Sequence, residues 1–365
     1  NSGVSYYIPL EPSVPPIRSL LCFASEPGPS SPYHTLIYHV FKLLRVLDLS
    51  AISMSTNFPC ELLQLVLLRY LALQGKNLIL PSSISDLWNL ETLIVSQGRG
   101  TIIPPNIWRM VKLRHLCIAG ENHIEHQFPY SEYHYDSSVL DNLQTISLVS
   151  PSVSCEHVLA RTPNLRKLGF CGNLTSGRGI FMFRNPYFPN KLETLKLLNR
   201  APYDETLKND DNNLRVKIKC NFRDVQFPPN LKRLTLSRTF LEWSEMSTLG
   251  MLPNLEALKL EFQACLGPLW ETSEGGFRKL RFLRFYYMYF EQWDTSSTHF
   301  PSLQRLVLHR CEKLKEIPSE LVDISTLQTI EVSWCSPSAV NSARQIQEEQ
   351  LSMGNDWLKI LIYPP

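Results

Sequence analysis

The sequence predicts an α/β repeat fold in which about fourteen short parallel strands line one side of a stack. The pattern L-x-x-L-x-L recurs along the whole chain, and its copies follow one another at a nearly constant step. The chain has 365 residues, whereas single compact cores stop growing near about 250–300 residues. A chain of this length therefore divides into domains or forms a repeat array, and the internal period favours the array.

Twelve clear copies of the pattern begin at Leu44, Leu68, Leu90, Leu113, Leu143, Leu165, Leu192, Leu231, Leu255, Leu280, Leu303 and Leu327. Weaker copies at Ile17 and Leu358 bring the total to fourteen. Most steps between copies are 22 to 31 residues, and the step from Leu192 to Leu231 is 39. One unit cannot bury its leucines alone, so the units must stack.

Within each copy the leucines occupy positions one, four and six. Side chains alternate along a strand, so positions four and six face the core while positions three, five and seven face outward. We call the stretch that leads from the end of one strand to the start of the next a returning segment. Proline recurs in these segments, as at Pro81 and Pro104. A returning segment needs no ladder N–H at that point, so proline fits there.

The amino-acid sequences of several copies resemble one family of repeats. Leu43–Leu49, Leu68–Leu73 and Leu80–Leu93 are similar to the leucine-rich repeat domains of plant intracellular coiled-coil nucleotide-binding leucine-rich repeat (NLR) immune receptors. The resemblance covers essentially the whole chain. It implies a leucine-rich repeat solenoid, a horseshoe with a concave parallel sheet of about fourteen strands and an irregular convex side.

The resemblance also implies a function. Such domains recognise a pathogen effector directly or through a guarded host protein, and they fold back on their own nucleotide-binding domain to hold it inactive. ADP or ATP would bind to that domain, so we expect no cofactor in this chain. The resemblance further implies oligomerisation only through the full-length receptor.

Three segments organise the chain in this interpretation. Residues 1–16 are expected to lead in from an upstream domain, residues 17–337 form the array, and residues 338–365 cap it with a helix and a last strand. The 39-residue step from Leu192 to Leu231 contains an insertion, 199–225. Its polar composition predicts an exposed loop, and the sequence does not assign that loop a function.

Composition narrows the class of protein. Lys and Arg number 36 against 34 Asp and Glu, a net charge of +2, which excludes a strongly basic nucleic-acid-coating protein. Nine cysteines lie at wide spacing without a C-x-x-C pair, which favours a reducing, cytoplasmic setting. The longest apolar stretch, Leu62–Leu73, is too short for a membrane span.

Candidate catalytic and metal motifs are weak. Gly172–Gly179 resembles a phosphate-binding loop but has Arg178 where the lysine belongs. A zinc site would draw on His115, Cys117, His123 and His126, which lack paired ligand spacing. We therefore predict no enzyme and no metal site.

The outward positions differ between the two halves of the array. In the second half they carry most of the charge and aromatic side chains, and we predict a protein-binding surface made of Lys167, Lys196, Arg233, Lys259, Glu261, Phe282, Arg284, Tyr286, Arg305 and His309. A surface of one sign would steer an acidic partner. In the first half they are mostly small or apolar, and we predict an intramolecular contact through Asp48, Tyr70, Gln74 and His115. The alternative interpretation is a solvated strand face balanced by flanking acids.

Two other classes of function stay open at this point. An extracellular leucine-rich repeat receptor ectodomain would bind a peptide or hormone. A leucine-rich repeat scaffold or ubiquitin-ligase adaptor would bind a protein without an immune role. Nucleic acid is not an expected partner, because no nucleic-acid module motif is present.

Overall fold

The structure is a computed structural model of the chain. It describes residues 17–23, 40–54, 58–75, 78–96, 103–119, 139–149, 155–174, 188–199, 222 and 225–364. The chain divides into two compact units, Asn1–Asn122 and His123–Pro365. Each unit is built on parallel strands that follow one another in chain order.

The strands of the first unit pair side by side in sequence order. They are β1 (Ser19–Leu21), β2 (Val46–Met54), β3 (Tyr70–Gly75), β4 (Thr92–Ser96) and β5 (His115–Ala119). The register places Leu47, Leu71, Leu93 and Leu116 next to one another, and all four are buried. Burying one leucine side chain contributes about 1.5–3 kcal/mol, so this row of leucines holds the stack together.

Three returning segments of the first unit, all within the described residues, contain short 3-10 helices. They span Cys60–Gln64, Ser82–Asp86 and Pro105–Arg109, and a proline in extended conformation precedes each of them. Ile84 and Ile107 from these helices are buried. The prolines thus lie where the sequence predicted that no ladder N–H is needed.

The described part of the second unit contains nine main strands, also parallel and in chain order. They are β6 (Thr145–Val149), β7 (Lys167–Gly172), β8 (Thr194–Asn199), β9 (Arg233–Ser237), β11 (Ala257–Glu261), β14 (Phe282–Tyr286), β16 (Arg305–His309), β17 (Thr329–Ser333) and β18 (Lys359–Tyr363). Each of the fourteen predicted copies therefore forms a strand, and the predicted fold class is confirmed.

Two additional pairs of short strands lie in the connecting segments of the second unit. Strand β10 (Leu241–Glu242) pairs with β12 (Cys265–Leu266), and β13 (Leu269–Glu271) pairs with β15 (Gln292–Asp294). Short helices complete these segments: α1 (Cys155–Ala160), α2 (Met246–Gly250) and the 3-10 helices Trp243–Glu245, Ser297–His299 and Ser319–Asp323.

An aromatic cluster fills the core behind these segments. The ring of Trp270 stacks 5.0 Å from that of Trp243 and 5.2 Å from that of Trp293. It also meets Phe285 edge-on at 5.6 Å, and Trp270 and Phe285 are completely buried. Aromatic pairs contribute about 0.5–1.5 kcal/mol beyond their buried area, so this cluster stabilises the connecting segments.

The residue just before position one ties neighbouring repeats together in both units. Asn89 donates its side-chain N–H to the Val66 carbonyl at 3.0 Å, and Asn254 donates to the Pro229 carbonyl at 3.0 Å. Lysines from the next repeat, Lys112 and Lys279, donate to the same two amides at 2.8 and 2.9 Å. These bonds run along the edge of the strands and fix the spacing of the repeats.

Helix α3 (Pro337–Ser352) covers the segment for which the sequence predicted a helix. The Ser336 hydroxyl caps it by accepting a hydrogen bond from the Ala339 N–H at 3.1 Å, and Pro337 occupies its first turn. Its buried Ser342 accepts the Ile317 N–H at 2.8 Å, which anchors the helix to the last regular repeat. Its role as a cap is still a prediction.

The last predicted copy is wrong by one residue. The register pairs Ile330 with Ile360 and Val332 with Ile362, so these isoleucines occupy positions four and six. Leu361 and Tyr363, assigned to those positions from sequence, are 54% and 62% exposed. The 199–225 insertion lies mostly outside the described residues, as do the predicted lead-in residues 1–16.

Candidate protein-binding surface

The side chains at positions three, five and seven of each strand form what we call the open face. In the second unit the register aligns them in three rows that cross the strands. Position three aligns Lys167, Thr194, Arg233, Ala257, Phe282 and Arg305, and position five aligns Gly169, Lys196, Thr235, Lys259, Arg284 and Val307. The predicted binding residues therefore share one face, but their cations alternate between two rows.

Ion pairs reduce the number of unpaired cations on this face. Arg284 lies 3.6 Å from Glu261, and Arg305 lies 2.5 Å from Glu331. Glu331 lies on β17, one strand beyond the predicted surface. Two of the six predicted cations are thus neutralised locally.

Of the four predicted cations that remain, three lie on β7, β8 and β9, and the fourth, half-buried Lys259, lies on β11. Lys167, Lys196 and Arg233 are exposed, and no carboxylate among the described residues lies within ion-pairing distance of them. Flanking carboxylates pair elsewhere: Glu193 receives Arg166 at 3.1 Å and Lys232 at 3.8 Å. These three cations can therefore attract an acidic partner without first breaking a salt bridge.

Aromatic side chains lie beside the cations on β14 and β16. The ring of Phe282 lies between Lys259 Nζ and Arg305 Cζ, each 5.8 Å from its centroid. Tyr286 stacks on the imidazole of His309 at 4.9 Å, and the Arg284 guanidinium lies 4.9 Å from the Tyr286 centroid. Cation–π contacts of this kind are worth about 0.5–1 kcal/mol at exposed sites, so they favour the observed positions of these side chains.

His309 is held neutral by its surroundings. Burial, then the positive charges of Arg284 and Arg310, lower its pKa below the ordinary value of 6.5. Its Nδ1 lies 2.8 Å from the Ser333 hydroxyl. At neutral pH the ring therefore serves as a hydrogen-bonding and stacking group and adds no charge to the face.

The four residues predicted for an intramolecular contact lie on the open face of the first unit. Asp48, Tyr70, Gln74 and His115 are half-buried there. The Asp48 carboxylate accepts the Ser50 N–H at 2.9 Å and the Ser50 hydroxyl at 2.5 Å. Burial, with the nearby charge of Asp48 and then Cys117, raises the pKa of Tyr70, so its phenol stays protonated.

Sequence reasoning missed a second set of residues at position eight. They directly follow strands β9, β11, β14, β16 and β17. We call Arg238, Phe262, Tyr287, Arg310 and Trp334 the rim stack. All five adopt the left-handed backbone conformation, with φ between 50° and 56°. The N–H of each donates to a carbonyl at the end of the next strand, for example Tyr287 to His309 at 2.9 Å.

The rim stack is continuous from strand to strand. The Arg238 guanidinium lies 5.2 Å from the Phe262 centroid, and Phe262 stacks on Tyr287 at 5.4 Å. The Arg310 guanidinium lies between Tyr287 at 5.0 Å and Trp334 at 5.6 Å. A signal was present in the sequence, because position eight changes abruptly from small or polar residues to arginines and aromatics.

The weak motifs gain no support among the described residues. No group of three or more His, Cys, Asp or Glu within that part of the chain could hold a metal ion. His123 and His126 of the zinc candidate, and residues 175–179 of the phosphate-loop candidate, lie outside it. None of the described helices has the length and apolarity needed to cross a bilayer.

The repeated strand, the parallel stack and the buried leucines define a leucine-rich repeat protein. Residues 17–201 match the leucine-rich repeat region family, and the chain belongs to that family. Among solved structures, a leucine-rich repeat protein of Leptospira interrogans is 19% identical, with a TM-score of 0.42 over 89% of this chain and 85% of that one.

Curated relatives come from the plant Solanum demissum. Late blight resistance protein homolog R1B-16 is 38% identical over 85% of this chain and 23% of its own length. Late blight resistance protein homolog R1B-8 is 37% identical over 88% of this chain and 26% of its own length. The resemblance to plant disease-resistance repeats is thus confirmed. The chain spans about a quarter of the length of these relatives.

Proposed function

We propose that this chain is the recognition module of a plant disease-resistance protein of the NLR type. It binds a pathogen effector, or a host protein that the effector modifies, on the open face of the second unit. The observation that carries this proposal is the exposed, unneutralised set Lys167, Lys196 and Arg233 next to the aromatic residues of β14 and β16. Similarity to late blight resistance homologs supports the immune setting.

The first unit would serve a different contact. Its open face carries mostly small or uncharged side chains and one charge, Asp48, which suits close packing against another domain. We propose that this face contacts the receptor's own nucleotide-binding domain and holds it inactive. ADP or ATP would bind on that domain, and the receptor would act in the cytoplasm.

The module acts by binding rather than by catalysis in this proposal. Leucine-rich repeat arrays present extended surfaces suited to protein ligands. The cationic part of the face would accelerate encounter with an acidic partner and orient it. The neighbouring Phe282 and Tyr286 would then supply apolar contact area, as aromatic residues often do at the centre of interfaces.

Charge reversal in the full receptor tests the proposal. A receptor carrying K167E, K196E and R233E would be expressed in leaves together with a library of secreted proteins from a late blight pathogen. We expect the cell-death response to the recognised protein to be lost while the receptor accumulates normally. Reversing three exposed cations outside both open faces, K42E, R45E and R114E, is the matched control.

Comparison of the second-unit variant with the control variant shows whether the cell-death response depends on the proposed surface. Loss of the response only in the second-unit variant supports the proposed surface. A response that survives reversal of Lys167, Lys196 and Arg233, with unchanged receptor levels, contradicts it.

A further inference from the structure

The rim stack has a composition and a geometry that suit a particular class of ligand. We propose that it binds an extended acidic segment of the protein partner, with carboxylates at residues i and i+4 and an apolar side chain at i+2. This inference rests on the proposed function, since it assigns a recognition element to the protein ligand.

The backbone of the rim stack is strained. A left-handed conformation costs a residue other than glycine about 1–2 kcal/mol, and bulky residues rarely adopt it. Glycine would avoid that cost, yet none of these five positions is a glycine. Five successive repeats nevertheless keep large side chains there. Strain of this kind is typical of functional positions.

The charge of the rim stack is not neutralised within the described chain. No carboxylate there lies within ion-pairing distance of Arg238 or Arg310, and both guanidinium groups lie against aromatic rings. A guanidinium stacked on a ring keeps its N–H edge free for a carboxylate, which it can bind through two parallel hydrogen bonds. Each arginine is therefore a pre-ordered carboxylate receptor.

The spacing of the two arginines selects the ligand. Arg238 follows β9 and Arg310 follows β16, three strand steps away, which corresponds to about 14 Å at about 4.8 Å per step. An extended peptide rises about 3.3 Å per residue, so residues i and i+4 lie about 13 Å apart and point to the same side. The side chain at i+2 then meets Phe262 and Tyr287, whose stacked rings lie between the two arginines.

Substitutions of the two rim arginines test the proposal without disturbing the fold. R238Q and R310Q remove one charge each, while R238K and R310K keep the charge but lose the planar fork. Arg238 is exposed and Arg310 is half-buried, so none of these variants opens the core. Thermal unfolding would confirm that each variant is folded. R344Q, which changes an exposed arginine on α3, is the matched control.

The binding experiment uses the purified full chain and three labelled peptides. The first has the core Glu-Ser-Leu-Ser-Glu, the second has the same composition with its glutamates two residues apart, and the third has glutamine in place of glutamate. Fluorescence anisotropy would give the dissociation constants at low and high salt. We expect the first peptide to bind most tightly, and binding to weaken as salt rises.

Substitution of either rim arginine should weaken binding of the first peptide about tenfold, which corresponds to about 1.4 kcal/mol. The lysine variants should lose less affinity than the glutamine variants, and R344Q should bind like the original chain. Equal binding of both glutamate spacings, no binding of the first peptide, or an equal loss in R344Q would overturn the inference. Such a result leaves the proposed function standing, because that function is tested separately through Lys167, Lys196 and Arg233 in the receptor.

Discussion

The first unit and the last five regular repeats of the second unit share a scaffold and differ in what they expose. Both stack leucines at positions four and six, and both tie repeats together through an asparagine before position one. At position eight the first unit has Ala51 and Gly75, whereas the later repeats have the rim stack. The periodic residues therefore build the array, and the positions that they leave open determine what it can bind.

The connecting segments show the same contrast. In the first unit they are short 3-10 helices that bury isoleucine and leucine. In the second unit they hold short paired strands and the aromatic cluster around Trp270. Behind the later strands of the second unit, the core therefore includes stacked aromatic rings in place of the isoleucine and leucine seen in the first unit.

The largest expected effect comes from the aromatic cluster. Trp270→Ala should lower the free energy of unfolding by about 3–5 kcal/mol, because it removes a completely buried indole and leaves a cavity. Chemical denaturation followed by circular dichroism measures this. Leu93→Ala in the first unit should cost about 2–5 kcal/mol. Trp357→Ala, at a 45% exposed site, should cost little, and an equal cost at Trp270 and Trp357 would contradict the packing.

Glycine at position five of β7 permits a close approach of two strands. A Cβ at Gly169 would lie 1.9 Å from the Ser147 carbonyl oxygen. Gly169→Ala should therefore destabilise the second unit by about 1–3 kcal/mol, as overpacking does. Gly75 in the first unit is the matched control, because its Cβ would meet its nearest atoms at an ordinary 3.5 Å. Equal unfolding midpoints for the two alanine variants would be evidence against the close approach.

The edge asparagines should have the same value in both units. Asn89→Ala and Asn254→Ala each remove a side-chain hydrogen bond to the preceding repeat, so each should cost about 0.5–1.5 kcal/mol. The free energy of unfolding measures the pair. A clear difference between the two variants would show that the repeats of the two units are not joined in equivalent ways.

The smallest effect concerns pH. The pKa of His309 is lower in the folded chain than the ordinary 6.5, so the unfolded chain binds more protons between these two values. Stability therefore rises with pH through this interval and falls as the solution is acidified below about 6.5. His309→Gln should flatten this part of the profile of unfolding midpoint against pH. The same slope in both proteins would contradict the assigned environment of His309.

Much of the fold could be predicted because the leucine period directly determines the buried face. Every copy gave a strand, and the predicted positions stay in register from β3 to β5 and from β7 to β17. In β6 the register shifts after Ile146, so Val149 rather than the predicted Leu148 pairs with Phe170. The last strand was placed one residue off, since Ile360, Leu361 and Ile362 are all apolar and alternation does not distinguish their faces. Only pairing with β17 fixes that register.

The candidate site could be predicted only in part. The cations were found from their repeat positions. The ion pair between Arg305 and Glu331 joins two neighbouring strands, and the repeat pattern alone does not show which charged side chains will pair. The rim stack was missed because position eight lies beyond the strand pattern. Its backbone conformation and the stacking of Phe262 on Tyr287 depend on coordinates rather than on period.

The central claim is that the second unit, not the first, carries the ligand surface. Titration calorimetry of the purified chain with the pathogen or host protein recovered in the leaf screen tests it most directly. We expect K167E, K196E and R233E together to weaken binding by about tenfold or more and to reduce its salt dependence. A first-unit variant with D48N and Q74A should bind like the original chain. Unchanged affinity in the second-unit variant, or loss in the first-unit variant alone, would contradict the claim.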